Sequence, residues 1–339
     1  MPHLTPREQH LVAGSLVTAL TLLVVVLRGS SSRTAGLSTN LTSSARSASS
    51  VASSTPAGNN GNGNDQKRFQ LYMNPVCPFV QRTRITISEL QAMDLFTFTP
   101  IPLRAEIARA KFLHQLPEWS QAIGINSHEG LQHLKDWYMQ NMNKGGDVPV
   151  LMDHNSDFLV TESEIVSEYI YLNLNHTRGV DLDLFPSSSF LAEEVVRFRY
   201  AIKTFPASAF YSCLRNQDPS KDAELFKSLR ESLGQCFSHM SPHGPYFVGP
   251  KFTFADIFCF PHMYRFATLL KHYRGYDLFA PCAEYDAKRV KTWFTAVSSR
   301  PSVQKTCPTP EVIIKFYEGE ANDNLLSEKG FYGRGRSSM

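Results

Sequence analysis

The rhythm of apolar and polar positions changes several times along this chain, and the changes divide it. From Leu11 to Leu27 the sequence is uncharged and largely apolar, LVAGSLVTALTLLVVVL, with Arg7 before it and Arg28 after it. A spanning helix needs about 20 apolar residues, with about 17 near the lower limit. The run therefore reads as an N-terminal membrane anchor, with the hydrophobic part of a cleaved targeting segment as the alternative. From Arg28 to Asn64 the chain is rich in Ser, Thr, Ala, Gly and Asn and holds Arg28, Arg33 and Arg46 without an acid. Such a composition cannot bury a core, and disorder is expected. Its Arg-rich, Ser-rich, acid-poor character also fits an organellar transit tail. Residues 1–66 thus read as an apolar anchor or targeting segment followed by a disordered linker.

Order is expected to begin near Lys67. Arg68 to Met73 alternates and is aromatic-rich, as a strand should be, and Asn74-Pro75 breaks it. Val80, Arg84, Ile87 and Leu90 then recur about a turn apart, with Pro78 placed as the first helical residue. A second strand is expected over Phe96 to Pro102. Residues 104–134 read as an insertion, partly helical over Ala105 to Leu116, whose bland reading is a surface excursion. Val148-Pro149-Val150-Leu151 enters a further strand. Thr161 and Glu164 have the spacing of a capping box, and Ile165, Tyr169, Ile170 and Leu172 are the expected apolar face of the helix that follows. Asn175 to Pro186 reads as a linker. Leu191 to Phe210, Asp222 to Met240, Asp256 to His272 and Asp286 to Ser298 then have helical length and periodicity, with no convincing strand among them. Thr253 and Asp256 form a second capping box, and Phe252 and Ile257 are placed as its hydrophobic staple. From Glu311 the chain becomes charged and Gly-rich, a loose tail over 311–339. The pattern is an α/β domain over 67–175 followed by an all-helical domain over 185–310.

Composition narrows the chemistry. The chain has 339 residues, 42% apolar and 19% charged, with 23 Phe and 13 Tyr, enough for a sizeable core. A net charge of only +3 without a basic stripe counts against a nucleic-acid partner. Cys77, Cys213, Cys236, Cys259, Cys282 and Cys307 are scattered, with no CxxC pair and no dense framework. That usage points to a reducing compartment. No metal spacing stands out; His239 and His243 lie four apart, but Pro242 and Gly244 make them a loop. The sequons Asn40-Leu-Thr42 and Asn175-His-Thr177 matter only in a lumenal setting.

One cysteine has a chemical context. Strand, loop, Cys77-Pro78 and helix put Cys77 at a helix N-terminus, where exposed N–H groups and the macrodipole favour the thiolate. The other five lack this setting and read as structural.

Cys77-Pro-Phe-Val-Gln-Arg-Thr-Arg84 resembles the Cys-Pro-Phe-x-x-Arg signature of omega-class glutathione transferases. These are similar in turn to dehydroascorbate reductases and chloride intracellular channel proteins. Asp136-Trp137-Tyr138, the Val148-Pro149 step, the Glu162-Ser163 pair and the Thr253–Asp256 box resemble further landmarks of the same family, from about Phe69 to Thr309. The resemblance implies a thioredoxin-like N-terminal domain followed by the all-helical transferase domain, with a cis bond before Pro149. It implies glutathione as the substrate and no metal. Val148 would offer its backbone N–H and C=O to the cysteinyl part of glutathione. Glu162 and Ser163 would hold the γ-glutamyl end. Phe79 and Pro149 would complete the site, with Lys135 meeting the glycyl carboxylate.

The implied activity is thiol transfer, deglutathionylation or dehydroascorbate reduction through a mixed disulfide on Cys77, with small or protein disulfides and electrophiles as partners and a homodimer as the assembly. The alternative is a non-enzymatic scaffold or a chloride-intracellular-channel-like membrane protein. Membrane-associated prostaglandin E synthase is similar in having an apolar segment before the fold, but it carries Cys-Pro-Phe-Cys where Val80 stands here. The folded part is expected on a membrane or in an organelle, facing a reducing compartment, with the cytoplasm as the alternative.

Overall fold

Aromatic and β-branched alternation builds the sheet. Phe69–Met73 forms β1, and Phe96–Pro100 forms β2 alongside it in parallel, Phe69 opposite Phe96. Val150–Asp153 forms β3, antiparallel to β1, and Phe158–Thr161 forms β4, antiparallel to β3. The order across the sheet is β2-β1-β3-β4. The structure, a computed structural model, describes residues 67–322 apart from 178, 179, 181 and 186–190. The Leu11–Leu27 run and its linker therefore lie outside the described residues, as do residues 323–339.

Helices cover both faces of the sheet. Pro78–Glu89 is α1, with Pro78 in its first turn as its missing N–H allows. The segment read as an insertion is more helical than expected: Arg104–Leu113 is α2, Glu118–Ala122 is α3, and His128–Asn141, α4, starts within it. Ser163–Leu174 is α5. One face of the sheet packs Phe69, Leu71, Leu151 and Val160 against Ile87 of α1 and Val166, Ile170 and Leu174 of α5. On the other face Tyr72 and Val150 meet Tyr138 of α4.

Two readings of α5 need correction. Its N-cap is Glu162, and no side chain caps it, so the Thr161–Glu164 box does not form. Glu164 turns instead to Arg82, 3.7 Å away. The buried face is Val166, Ile170 and Leu174, while Ile165 and Leu172 stand 54% and 63% exposed. The i, i+4 spacing was right, but the apolar stripe of α5 is wide enough to have two faces.

The helical half comprises Ala192–Lys203 (α6), Ala207–Arg215 (α7), Asp222–Phe237 (α8), Phe254–Arg274 (α9), Ala287–Ser298 (α10), Pro301–Thr306 (α11) and Pro310–Ala321 (α12). The single helix expected over Leu191 to Phe210 is two, because Pro206 has no N–H to continue the ladder. The loose tail expected from Glu311 begins instead as α12. Thr309 caps it, Pro310 sits in its first turn, and Ile313, Tyr317 and Ala321 are buried. The core gathers around α9, with Phe210, Phe247, Phe258, Phe266 and Trp293 buried together and Ile85 of α1 joining them. Arg300 and Glu89 form a two-pronged ion pair at 2.8 and 2.6 Å that ties the start of α11 to the end of α1. The Asn175 side chain is buried and bonded both ways to Leu182 at 3.0 Å, which leaves the second sequon no free amide for a glycan.

The Thr253–Asp256 box forms as expected. The Asp256 carboxylate is buried, yet it accepts from Phe247 N, Thr253 N and Trp293 Nε1, each at 2.8 Å. Burial outweighs these donors and pushes its pKa from 3.8 up to about 6. A carboxyl raised on folding binds its proton more tightly in the folded chain. Its contribution is therefore largest below about pH 4 and is lost as pH rises through about 6. Asp256→Asn removes that titration. The stability advantage of the wild type over the variant is expected to widen as pH falls from 6 to 4, read by thermal unfolding. A constant difference across that range would contradict the assignment.

Candidate active site

The nucleophile's position follows from the turn that ends β1. Asn74 is fully buried, and its side chain works on both sides. Its Nδ2 donates to Ile101 O at 3.0 Å and to Glu106 Oε2 at 2.7 Å, while its Oδ1 accepts from Val76 N at 3.0 Å. Its own carbonyl accepts from Cys77 N at 3.2 Å. Glu106 belongs to α2, so the segment read as a surface excursion supplies a carboxylate that fixes the Cys77 turn. The same carboxylate also accepts from Leu103 N at 2.8 Å and from Trp119 Nε1 at 3.0 Å. Burial pushes the Glu106 pKa up, and these donors oppose the shift.

Cys77 caps α1 with extended backbone and is 7% exposed. Its Sγ lies 3.9 Å from Val148 O. Burial pushes the thiol up. The backbone N–H groups of Val80 and Phe79 and the charges of Arg265 and Arg82 pull it down without cancelling that effect. The balance differs from the expectation of a helix-stabilised thiolate: the helix end contributes as anticipated, but the depth of the site contributes more.

Around Cys77 is a cleft of about 390 Å³. Val148, Pro149 and Asp147 line one side, and the bond between Val148 and Pro149 is cis. The preceding loop is tied down by Tyr138 Oη donating to Asp147 O at 2.6 Å and by Asn143 Nδ2 donating to the same oxygen at 3.0 Å. No hydrogen bond among the described residues uses the Val148 N–H. Glu162 and Ser163 line the cleft at the start of α5. Glu162 has φ +68, a conformation that costs a non-glycine residue about 1 to 3 kcal/mol. Ser163 Oγ accepts from Arg82 Nη1 at 3.2 Å, and Arg82 Nε donates to Phe258 O at 3.1 Å.

Of the residues singled out from sequence, Cys77, Phe79, Val148, Pro149, Glu162 and Ser163 share this cleft. Lys135 does not line it. Its ammonium is buried under the loop, donates to Gly146 O and is lowered by burial to about 8. Of the helical-domain aromatics, Phe198 and Phe210 are core, and Tyr211 lines the cleft. Sequence reasoning missed Phe316 and Tyr317, which close the cleft from α12. The signal was present in Thr309-Pro310 followed by apolar residues at helical spacing, an N-cap and first-turn proline. Asn74, Glu106 and Arg265 were also missed, because nothing local in sequence marks a residue that acts through a distant turn. Among the described residues no group of three or more His, Cys, Asp or Glu is placed to hold a metal ion.

Residues 202–306 match the family model described as glutathione S-transferase, C-terminal domain. The chain has the glutathione transferase fold. It is 23% identical over 193 residues to a probable cytosolic glutathione S-transferase DHAR1 of Oryza sativa, covering 57% of this chain and 79% of that protein. Among solved structures, the trimeric glutathione transferase TDR1 of Leishmania superposes with a TM-score of 0.57 at 22% identity. That match covers 78% of this chain but spans only 51% of the Leishmania protein. Glutathione transferase Omega 3C of Trametes versicolor superposes at 0.52 with 20% identity, over 76% of this chain and 94% of that one. These likenesses agree with the omega-like glutathione transferase that the Cys-Pro-Phe segment resembles.

Removing the Glu106 carboxylate leaves Leu103 N and Trp119 Nε1, both part-buried, without their acceptor. Glu106→Ala is expected to destabilise the chain by about 1 to 3 kcal/mol, the scale for donors left without a partner, as measured by chemical denaturation. Glu106→Gln, which keeps one acceptor oxygen, should lose less. Equal, negligible losses in both would remove Glu106 from its positioning role.

Proposed function

We propose that this chain is a glutathione-dependent thiol transferase with Cys77 as its nucleophile. The carrying observation is that Cys77 is the one thiol among the described residues lining the cleft, at a helix N-terminus and facing Val148, whose N–H is unused. The Cys77 thiolate attacks the glutathione sulfur of a mixed disulfide. A Cys77–glutathione disulfide forms, and the acceptor's thiolate leaves and takes a proton. The thiolate of a second glutathione then attacks that disulfide, releases oxidised glutathione and returns Cys77 as thiolate. Two sulfur–sulfur bonds are exchanged, so the cycle needs neither a metal nor a second protein thiol.

Val148 holds the cysteinyl part of glutathione through its N–H and C=O, as an added strand would. Glu162 and Ser163 hold the γ-glutamyl end at the start of α5. Lys135 acts on the glycyl end indirectly, by holding the Gly146 carbonyl. Dehydroascorbate reduction fits the same site, and the rice relative bears that type of name.

The assembly is a homodimer, and its surface is the outward face of α5. Ile165, Tyr169 and Leu172 lie a turn apart there, Phe158 packs against Tyr169 at 5.6 Å between ring centroids, and an exposed apolar stripe of this kind marks association. The rice relative is described as cytosolic, which supports a cytoplasmic placement. Among the described residues no helix is long and apolar enough to cross a membrane, and the Leu11–Leu27 run lies outside them.

A second reading, a glutathione-binding scaffold without turnover, draws on the burial that pushes the Cys77 thiol up. Cys77→Ser separates the two. Thioltransferase turnover with glutathione and a small mixed disulfide should be measurable in the wild type and fall by about a hundredfold or more in the variant, as expected when a covalent nucleophile is lost. Undiminished turnover in Cys77→Ser would refute the mechanism, and absent turnover in both, with glutathione still bound, would favour the scaffold.

A further inference from the structure

Arg265 lies in the middle of α9 and is 2% exposed. Its Nη1 donates to Gln81 Oε1 at 2.8 Å and to Pro261 O at 2.6 Å, and its Nη2 donates to Val76 O, the carbonyl just before Cys77. Its Nε is buried without a partner. Among the described residues no carboxylate lies within 4.0 Å of it. Two other guanidiniums at this interface do have carboxylate partners: Arg82 has Glu164 and Arg300 has Glu89. A buried cation without a counter-charge is costly, and such a group persists where a charge develops against it.

We propose that Arg265 is a positioning residue for Cys77, holding the Val76 carbonyl and supplying the buried positive charge against which the Cys77 thiolate forms. This rests on the thiol-transferase reading above. The helical half of the molecule thereby takes part in the chemistry of the first domain, from a residue some 190 positions downstream. The other charged or titratable groups acting on Cys77 are Arg82 of α1, Lys135 and Tyr138 of α4, and Tyr211 of α7. Arg82 is shared with Glu164 and Ser163, and Lys135 with Gly146 O and the nearby charge of Asp147. Unlike Arg82, Arg265 has no carboxylate within 4.0 Å among the described residues; its partners are the neutral Gln81, Pro261 O and Val76 O.

The test is the pH dependence of Cys77 alkylation by iodoacetamide in the full chain, read on the Cys77 peptide by mass spectrometry. Arg265→Gln keeps a donor for Val76 O without the charge, and Arg265→Lys keeps the charge without the fork. The Gln variant should titrate about one pH unit higher than the wild type, making alkylation at neutral pH about tenfold slower. The Lys variant should stay within about threefold of the wild type. A structural role alone would lower stability and leave the midpoint in place, and an unmoved midpoint in folded Arg265→Gln overturns the proposal.

The wild type supplies a measurement that does not depend on any variant folding. A thiolate paired with a buried cation repels an anionic reagent less than a free thiolate does. The ratio of iodoacetate to iodoacetamide reactivity at Cys77 should therefore exceed that of free glutathione, and a ratio at or below it overturns the proposal. Failure of the thiol-transferase reading looks different: the wild type would take up no glutathione on Cys77, whatever its alkylation midpoint.

Discussion

The site depends on a turn of three residues held from two directions. Asn74 is bound by Glu106 of α2 and by Ile101, and the Val76 carbonyl is bound by Arg265 from the helical half. Between those anchors Cys77 has little freedom, because its own N–H is already given to Asn74 O. A nucleophile at a helix start needs this kind of restraint. The dipole effect falls off within one turn, and a sulfur displaced by an ångström loses both the helix end and the cleft.

The same turn brings the two halves together. Arg265 and Gln81 bond across the face of α1, Arg82 reaches Phe258 O, and the Arg300–Glu89 pair closes the far end of that helix. The buried side of α1 thus carries a line of polar contacts to the helical half, with Ile85 as its apolar contribution to that core. Such contacts are directional, so they specify how the halves meet more sharply than apolar packing alone does. The cleft is one consequence. Its walls come from α1, the loop before β3, the start of α5, α7 and α12, and only that fixed docking makes them face one thiol.

Local signals in the sequence were enough for much of this. β1, the Pro78 helix start and the Thr253–Asp256 box followed from alternation and capping spacing, and six of the seven candidate residues named from the Cys-Pro-Phe resemblance share one cleft. Failures came where a residue had two possible partners or a remote one. Glu164 has capping-box spacing but is drawn to Arg82, a charge contributed by another helix. Lys135 is expected to meet the glycyl carboxylate and is instead folded under the loop onto Gly146. Tyr317 sits in a segment whose downstream Gly-rich composition masked a well-started helix. Glu106 and Arg265 carry no sequence mark at all, since each acts on the Cys77 turn through contacts that exist only once the chain has folded.

Cys77 is where these constraints meet, and its disulfide chemistry tests them most directly. The full chain, reduced and then treated with oxidised glutathione, can be digested under acid and mapped by mass spectrometry. One glutathione per chain, located on Cys77 and removed by added reduced glutathione, is the expected result. Glutathione absent from Cys77, or spread evenly over Cys282 and Cys307, the two less buried thiols, would contradict a site built around that turn.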